Sequence, residues 1–451
     1  MGKIFGTDGI RCLVNHEPLS PETTLKISKT VGYLLKSKKK NSSRAIICKD
    51  TRLSGYLYEP LITAGFISMG MEVILVGPLP TPAVPHLMRT LRADIGVMIT
   101  ASHNTYEYNG IKLFNLDGFK ISSKLEEKIE DIVLNKKKYS KILNSKNNTG
   151  KALRLEDASG RYSEFLKSTL DKKIKTKKLK IVLDCGNGAT YDIAPNIFWE
   201  LGHQVVSINN KPNGKNINYN CGAVNVGSLC KKVVEEKANI GFAFDGDGDR
   251  LIVVDDKGNE IDGDKIIALF AKYLIIKKKT TSKFPVVTTV MSNLGLENFL
   301  LKDLGIKLKR SPVGDINVIE EMKKNKSFLG GEQSGHIILS DFSKTGDGIL
   351  AALKITEIIS ILKKSTSTVF DLYDNLPQIK VNISYKKISE KNKKQINNLN
   401  KKNSKDKTIR ILIRFSGTEP LIRLLVEGQD LIAVQNKVKI LEKEIRILIG
   451  Q

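Results

Sequence analysis

Cysteine is scarce and unpaired in this chain of 451 residues. Cys12, Cys48, Cys185, Cys221 and Cys230 are odd in number, scattered, and never form a C-x-x-C pair. That pattern excludes a disulfide framework and a zinc knuckle, and it fits a reducing compartment. A cytoplasmic protein with cysteines used for packing is therefore expected. Long apolar runs are missing too: nothing approaches the roughly eighteen residues of a spanning helix, so no membrane partner is expected. The opening MGKIFGTDGIRC has a lysine with no apolar run behind it, unlike a secretory signal.

Acidic charge is also short. The 48 Asp and Glu against 73 Lys and Arg leave a net charge of +25. A nucleic-acid surface would arrange that excess as a stripe interleaved with aromatics. Here it is scattered in short runs, KSKKK at 36–40, NKKK at 135–138 and DKKIKTKK at 171–178. Such runs between apolar segments read as solvated faces, so no nucleic-acid partner is expected. A positive field of this kind would concentrate small anionic substrates.

What is present is a regular alternation of short apolar strands with amphipathic helices, the pattern of α/β domains. The length calls for three or four domains. In SPETTLKISKTVGYLLKSKKK, Ser20 is placed as an N-cap, Pro21 at the first helical position, and Leu25, Val31 and Leu35 on one stripe. AIICK (45–49), EVILVG (72–77) and DIGVMIT (94–100) read as strands. NKKKYSKILNSKNNTGKA (135–152) reads as a weakly structured border. Three α/β units are expected at 1–155, 156–255 and 256–370, followed by a smaller α+β unit at 371–451 with antiparallel strands and a closing helix.

Four stretches carry chemistry. FDGDGDR sets Asp245, Asp247 and Asp249 at alternate positions between glycines, where three carboxylates can converge on one hard cation. An EF-hand is the rival metal reading, but its sixth loop position should be glycine and Arg250 stands there. Magnesium with a phosphoryl oxygen fits the remaining coordination, and Arg250 beside it could grip a phosphate oxygen. In VMITASHNTYEYNGIKLF, Ser102 directly precedes His103, with Lys112 further along. Adjacent side chains diverge and no G-x-S-x-G elbow surrounds the serine, which disfavours a hydrolase triad and leaves a phosphoryl carrier or a loop serine. GGEQSGH offers Glu332, Ser334 and His336 for sugar hydroxyls or an amino group, or is a plain turn. RFSGTEPLIR offers Ser416, Gly417 and Thr418 as an anion-binding nest between Arg414 and Arg423, or is a structural hairpin.

Together, FGTDGIR (5–11), TASHN (100–104), NGIKLF (109–114), FDGDGDRLIVVD (244–255), GGEQSGH (330–336) and SGTEP (416–420) resemble the α-D-phosphohexomutase superfamily nearly end to end. GEQSGH, TASHN and CGAVNVGSLC (221–230) look more like its glucosamine branch than its mannose/glucose branch. The resemblance implies three similar α/β domains and a C-terminal α+β domain around a central cleft. It implies Ser102 as a phosphoserine, with Mg2+ held by Asp245, Asp247, Asp249 and the phosphoserine oxygen. Arg11, His103, Lys112 and Arg250 would line the transfer site, Lys112 shuttling a proton. Glu332, Ser334 and His336 would read the sugar, while Arg414, Ser416, Gly417, Thr418 and Arg423 would hold the phosphate not being transferred.

The implied reaction interconverts glucosamine 6-phosphate and glucosamine 1-phosphate, for amino-sugar nucleotide and cell-wall precursor synthesis. It would pass through glucosamine 1,6-bisphosphate, or be primed by glucose 1,6-bisphosphate. The alternative is the corresponding mannose/glucose reaction. Partners would be small sugar phosphates, and a homodimer is allowed. The chain departs from the family pattern at Cys12 (usually Gly), Thr105 (usually Pro), Ile316 and Asn317 (usually Arg-Tyr) and Phe415 (usually Lys). Thr105 removes a fixed φ from the loop of Ser102, so a looser loop is expected there.

Overall fold

The computed structural model describes residues 4–6, 8–36, 43–144, 148–174, 177–278, 284–386, 388–403, 409–416 and 420–450. The first domain is built on a six-stranded sheet in the order Ile10–Leu13, Tyr108–Phe114, Ile95–Ile99, Ser43–Lys49, Met71–Pro78, Lys151–Arg154. Its centre is parallel, and Tyr108–Phe114 and Ile10–Leu13 close one edge antiparallel. Ile95–Ile99 is buried at every position, which is why it reads as a continuous apolar run rather than an alternating one. Helix Pro21–Leu35 starts as the sequence predicts: Ser20 Oγ accepts from Thr23 N–H at 3.2 Å and Pro21 opens the helix.

The segment read as a weakly structured border is different. Asn135 caps a helix Lys136–Leu143 through its side chain, and Lys151–Arg154 joins the sheet as a parallel edge strand. Lysine-rich composition hid a helix whose apolar contribution is little more than one buried residue, Ile142.

The second domain carries the sheet Glu260–Ile261, Leu251–Val254, Ile240–Phe244, Lys180–Asp184, Gln204–Ile208. The third carries Leu308–Ser311, Val286–Thr289, Leu329–Gly331, Ile337–Leu339. The fourth is a three-stranded antiparallel sheet, Gln378–Ser384, Leu421–Gly428, Ile409–Phe415, packed by helices Glu390–Asn403 and Leu431–Ile449 around its own core. One continuous apolar core joins the first three domains, from Ile46 and Phe114 through Phe198 and Phe244 to Leu350 and Phe370. The fourth domain buries its apolar face separately, as expected of a unit tied to the rest through a smaller joint. Among the described residues no helix is long and apolar enough to cross a membrane.

The four chemistry-bearing stretches share one structural position. Each follows a strand and precedes its antiparallel neighbour in the chain: 100–107 after Ile95–Ile99, 245–250 after Ile240–Phe244, 332–336 after Leu329–Gly331, and 416–420 after Ile409–Phe415, of which 417–419 lie outside the described residues.

Candidate active site

Ser102 stands at φ +51, in the left-handed region that a non-glycine residue occupies at a cost of about 1 kcal/mol. Hydrogen bonds hold it there. Its N–H donates to Thr100 Oγ1 at 2.9 Å, and its carbonyl accepts from Arg52 Nη2 at 3.0 Å and Asn218 Nδ2 at 2.8 Å. Its buried Oγ donates to Asp245 Oδ2 at 2.8 Å, in the second domain. The loop that lacks the usual proline is thus firmly held, because Arg52 also takes the carbonyls of Asn104, Thr105 and Tyr108.

Asp245, Asp247 and Asp249 each present a carboxylate oxygen within 4.8 Å of the others, and all three are buried. The glycines between them are needed. A Cβ on Gly246 would meet the Ser102 carbonyl at 2.6 Å, and Gly248 adopts φ +68. Lys112 Nζ donates to Asp247 Oδ2 at 2.8 Å and Asp249 Oδ2 at 3.1 Å, and Asp8 Oδ2 lies 3.3 Å away. Burial opposes its charge, but Asp247, Asp249 and Asp8 together hold the Lys112 ammonium well above the usual lysine range. Thr81 donates its hydroxyl to Asp247 Oδ2.

One oxygen each of Asp247 and Asp249, both Oδ1, is buried with no hydrogen-bond partner. Burial, then the neighbouring Asp249 and Asp247, pushes the Asp245 carboxyl well above its ordinary value. Orphaned, crowded carboxylate oxygens of this kind fit a hard divalent cation such as Mg2+.

Above this floor lies a cavity of about 680 Å³ lined by Arg11, Ser102, His103, Asp249, Arg250, Glu332 and His336, among others. Arg11 donates to Asp8 Oδ2 at 2.9 Å and to Asn104 Oδ1 at 3.2 Å, so its guanidinium is aimed across the serine loop. Burial, followed by the charges of Arg250 and Arg11, pushes His103 down to about 3. Its Nδ1 lies 3.4 Å from Ser102 Oγ. Among the described residues no carboxylate hydrogen-bonds this ring, and a neutral imidazole without one does not make the hydrolase arrangement.

Glu332 accepts from the Gly314 N–H at 3.1 Å and lines the cavity. His336 is buried lower down, with Nδ1 3.6 Å from Asp249 Oδ1, and its Nε2 accepts from the Gly346 N–H at 3.0 Å. That backbone donor leaves the ring's proton on Nδ1, facing Asp249. The neighbouring carboxylates pull the imidazole pKa upward against burial, but a ring accepting at Nε2 is neutral, and the hydrogen bond defines the form present here. Ser334 is exposed at the loop tip, outside the cavity lining.

Arg414 and Arg423 face each other directly across the last hairpin, and Ser416 N–H closes the turn onto Leu421 O at 2.8 Å. Burial and Arg423 push the Arg414 guanidinium below its usual range. Two like charges directly opposed on a sheet are unfavourable unless an anion joins them. Neither arginine lines the cavity of Ser102. Gly417 and Thr418 lie outside the described residues.

Sequence reading did not single out Arg52, Asn218, Thr81, Asp8 or Lys120. Lys120 ties Asp8 of the first domain to Asp315 of the third. A signal existed in the polar run KDTR directly after an apolar strand, where α/β sheets place their functional loops. No such signal marks Asn218.

Three α/β domains meeting over a buried carboxylate loop and a serine, followed by a smaller fourth domain, define an α-D-phosphohexomutase, an isomerase. The chain matches the phosphoglucomutase/phosphomannomutase family domain by domain: alpha/beta/alpha domain I over residues 2–140, domain II over 160–258, domain III over 262–378 and the C-terminal domain over 378–439. It is 47% identical to the phosphoglucosamine mutase of Parvibaculum lavamentivorans over 431 residues, 95% of each chain. Among solved structures, a phosphoglucomutase/phosphomannomutase family protein from Burkholderia thailandensis superposes with a TM-score of 0.82 at 22% identity, covering 98% of both chains. An N-acetylphosphoglucosamine mutase from Aspergillus fumigatus, in complex with GlcNAc-6P and magnesium, gives a TM-score of 0.69 at 16% identity over 100% of this chain and 96% of that one. The chain belongs to the phosphoglucosamine mutase family.

Proposed function

We propose that the chain interconverts glucosamine 6-phosphate and glucosamine 1-phosphate, with Ser102 as the phosphoryl carrier. The observation that carries this reading is the 2.8 Å hydrogen bond from Ser102 Oγ to Asp245 Oδ2, at the floor of a cavity rimmed by Arg11 and Arg250. Phosphoryl transfer needs positioning and charge neutralisation more than covalent chemistry, and this arrangement supplies both.

Asp245, Asp247 and Asp249, with an oxygen of phosphorylated Ser102, are the groups that would hold Mg2+, and the ion would supply charge neutralisation at the transferring phosphoryl group. Phospho-Ser102 gives its phosphoryl group to the sugar O1: the P–Oγ bond breaks, the P–O1 bond forms, and the O1 proton moves to the serine side. The 1,6-bisphosphate turns around, and its 6-phosphoryl group returns to Ser102 while O6 regains a proton. Lys112, hydrogen-bonded to Asp247 and Asp249, is the shuttling group in both transfers. Arg11 and Arg250 grip phosphoryl oxygens, and His103, held neutral, adds no further charge. Glu332, with His336 behind it and Ser334 at the loop tip, reads the sugar. Arg414, Ser416, Gly417, Thr418 and Arg423 are the groups assigned to the idle phosphate.

The test is a parallel assay with glucosamine, glucose and mannose 6-phosphates. Glucosamine 6-phosphate should show the highest kcat/KM. A clear preference for mannose 6-phosphate would overturn the reading in favour of a phosphomannomutase/phosphoglucomutase.

A further inference from the structure

Arg52 is among the largest side chains fully buried in the molecule, and it takes no part in lining the cavity. All five of its guanidinium N–H groups have acceptors. Nε donates to Asp50 Oδ2 at 2.8 Å. Nη2 donates to Ser102 O at 3.0 Å and Asn104 O at 2.7 Å, and Nη1 to Tyr108 O at 3.0 Å and to Thr105 O. Four of five donors are therefore spent on main-chain carbonyls of one seven-residue stretch. The pairing with Asp50 neutralises the guanidinium, so it is poorly suited to attract a phosphate.

Asn218 comes from the second domain and takes two of the same carbonyls: Nδ2 donates to Ser102 O at 2.8 Å and to Asn104 O at 2.9 Å. It also abuts the carboxylate loop, since a Cβ on Gly246 would meet Asn218 Nδ2 at 2.7 Å. The other side of Ser102 is fixed through the same partner. Asp50 Oδ2 accepts from Thr100 Oγ1 at 2.6 Å, and that oxygen accepts from the Ser102 N–H.

We infer that Arg52 and Asn218 form a two-domain clamp on the carbonyls of the serine loop, turning them backward so that Ser102 Oγ points forward at the Asp245–Asp249 loop. Both are positioning residues, acting through Ser102 rather than on the substrate. Rigidity that a proline after Asn104 would lend through its ring comes here from hydrogen bonds to Thr105 and its neighbours. The clamp matters twice per turnover, because Ser102 must give up a phosphoryl group and then meet the other end of the turned intermediate in the same place. Misplacement by about 1 Å can cost up to two orders of magnitude in rate.

The inference rests on Ser102 as the phosphoryl carrier, and the experiment separates the two. Intact mass with and without phosphatase is measured on wild type, Asn218→Ala, Asn218→Asp and Arg52→Lys, alongside kcat, KM for glucosamine 6-phosphate, thermal unfolding and the 31P resonance of phosphoserine. The clamp predicts an Asn218→Ala protein that folds and still carries the phosphoryl group, with kcat about tenfold or more below wild type and KM within about twofold. Its 31P line should shift or broaden. Asn218→Asp keeps the shape but sets an oxygen against two carbonyls, and should be no more active than the alanine variant. Lysine cannot span four carbonyls, so Arg52→Lys should not rescue; should it fail to fold, the Asn218 variants decide. Wild-type kcat in Asn218→Ala or in Asn218→Asp, on a phosphorylated enzyme, would overturn the clamp. A wild-type enzyme without a removable phosphoryl group would instead overturn the role of Ser102 and the inference with it.

Discussion

Ser102 Oγ and Asp245 Oδ2 lie 2.8 Å apart although 143 positions separate them in the chain. The serine belongs to the first domain and the aspartate to the second. Their hydrogen bond joins the serine loop to the carboxylate loop.

Replacing the serine isolates that role. Ser102→Ala should fold, lose the phosphatase-sensitive mass present on the wild type, and lose turnover by roughly three orders of magnitude or more, as removal of a covalent nucleophile does. A phosphorylated and active Ser102→Ala protein would refute the phosphoserine mechanism.

Asp247 is the central carboxylate, its Oδ2 receiving Lys112 and Thr81 while Oδ1 is buried without a partner. Asp247→Asn should weaken Mg2+ binding in calorimetry and lower kcat by roughly two orders of magnitude, since a charged ligand is lost. EDTA should abolish wild-type turnover and added Mg2+ restore it. Unchanged turnover in the variant would remove Asp247 from the ion's shell.

Arg414 and Arg423 oppose each other across a hairpin, and the Arg414 Nε is buried without a partner. Arg414→Gln should raise KM for the sugar phosphate about tenfold to a hundredfold, the worth of a charge-assisted hydrogen bond, with a smaller effect on kcat. Its unfolding midpoint should not fall, because a like-charge opposition is relieved. A lower midpoint with unchanged KM would assign the pair a purely structural role.

Asp347 stands between two glycines packed against the carboxylate loop, Gly348 N–H donating to Gly248 O at 3.0 Å, and contributes to stability. Its Oδ1 caps helix Gly348–Leu362 and its Oδ2 accepts from Tyr162 at 2.7 Å; burial raises its pKa from an ordinary 3.8 to about 6. Between those values the native state binds more protons than the unfolded chain, so this group's contribution falls as pH rises from 3.8 to 6. Asp347→Asn removes that dependence. Relative to the variant, wild type should lose on the order of 3 kcal/mol between pH 4 and pH 7 in denaturant titrations. Parallel pH profiles for the two proteins would show that Asp347 does not titrate in this window.

Much of this was legible in the residues. Alternating apolar segments marked the α/β domains, and Ser20 with Pro21 marked a helix start to the residue. The spacing of Asp245, Asp247 and Asp249 announced a loop of converging carboxylates because glycines at 246 and 248 free the backbone to turn them inward. The helix Lys136–Leu143 escaped because its lysines carry no apolar stripe. Arg52 escaped for another reason: its partners are carbonyls, which every residue has and which leave no mark in a sequence. Thr105 suggested a looser loop, and only the fold shows its carbonyl held by that arginine.

The sequence by itself determined the chemistry available in each turn, because side-chain type and glycine spacing act locally. The tertiary structure alone decided which turns meet. The serine turn, the carboxylate turn and the 332–336 turn converge on one cavity because the three domains share a continuous core, whereas Arg414 and Arg423 sit on a domain with a core of its own and stand outside that cavity. Convergence is set by how sheets pack over more than a hundred residues, and no local pattern encodes it.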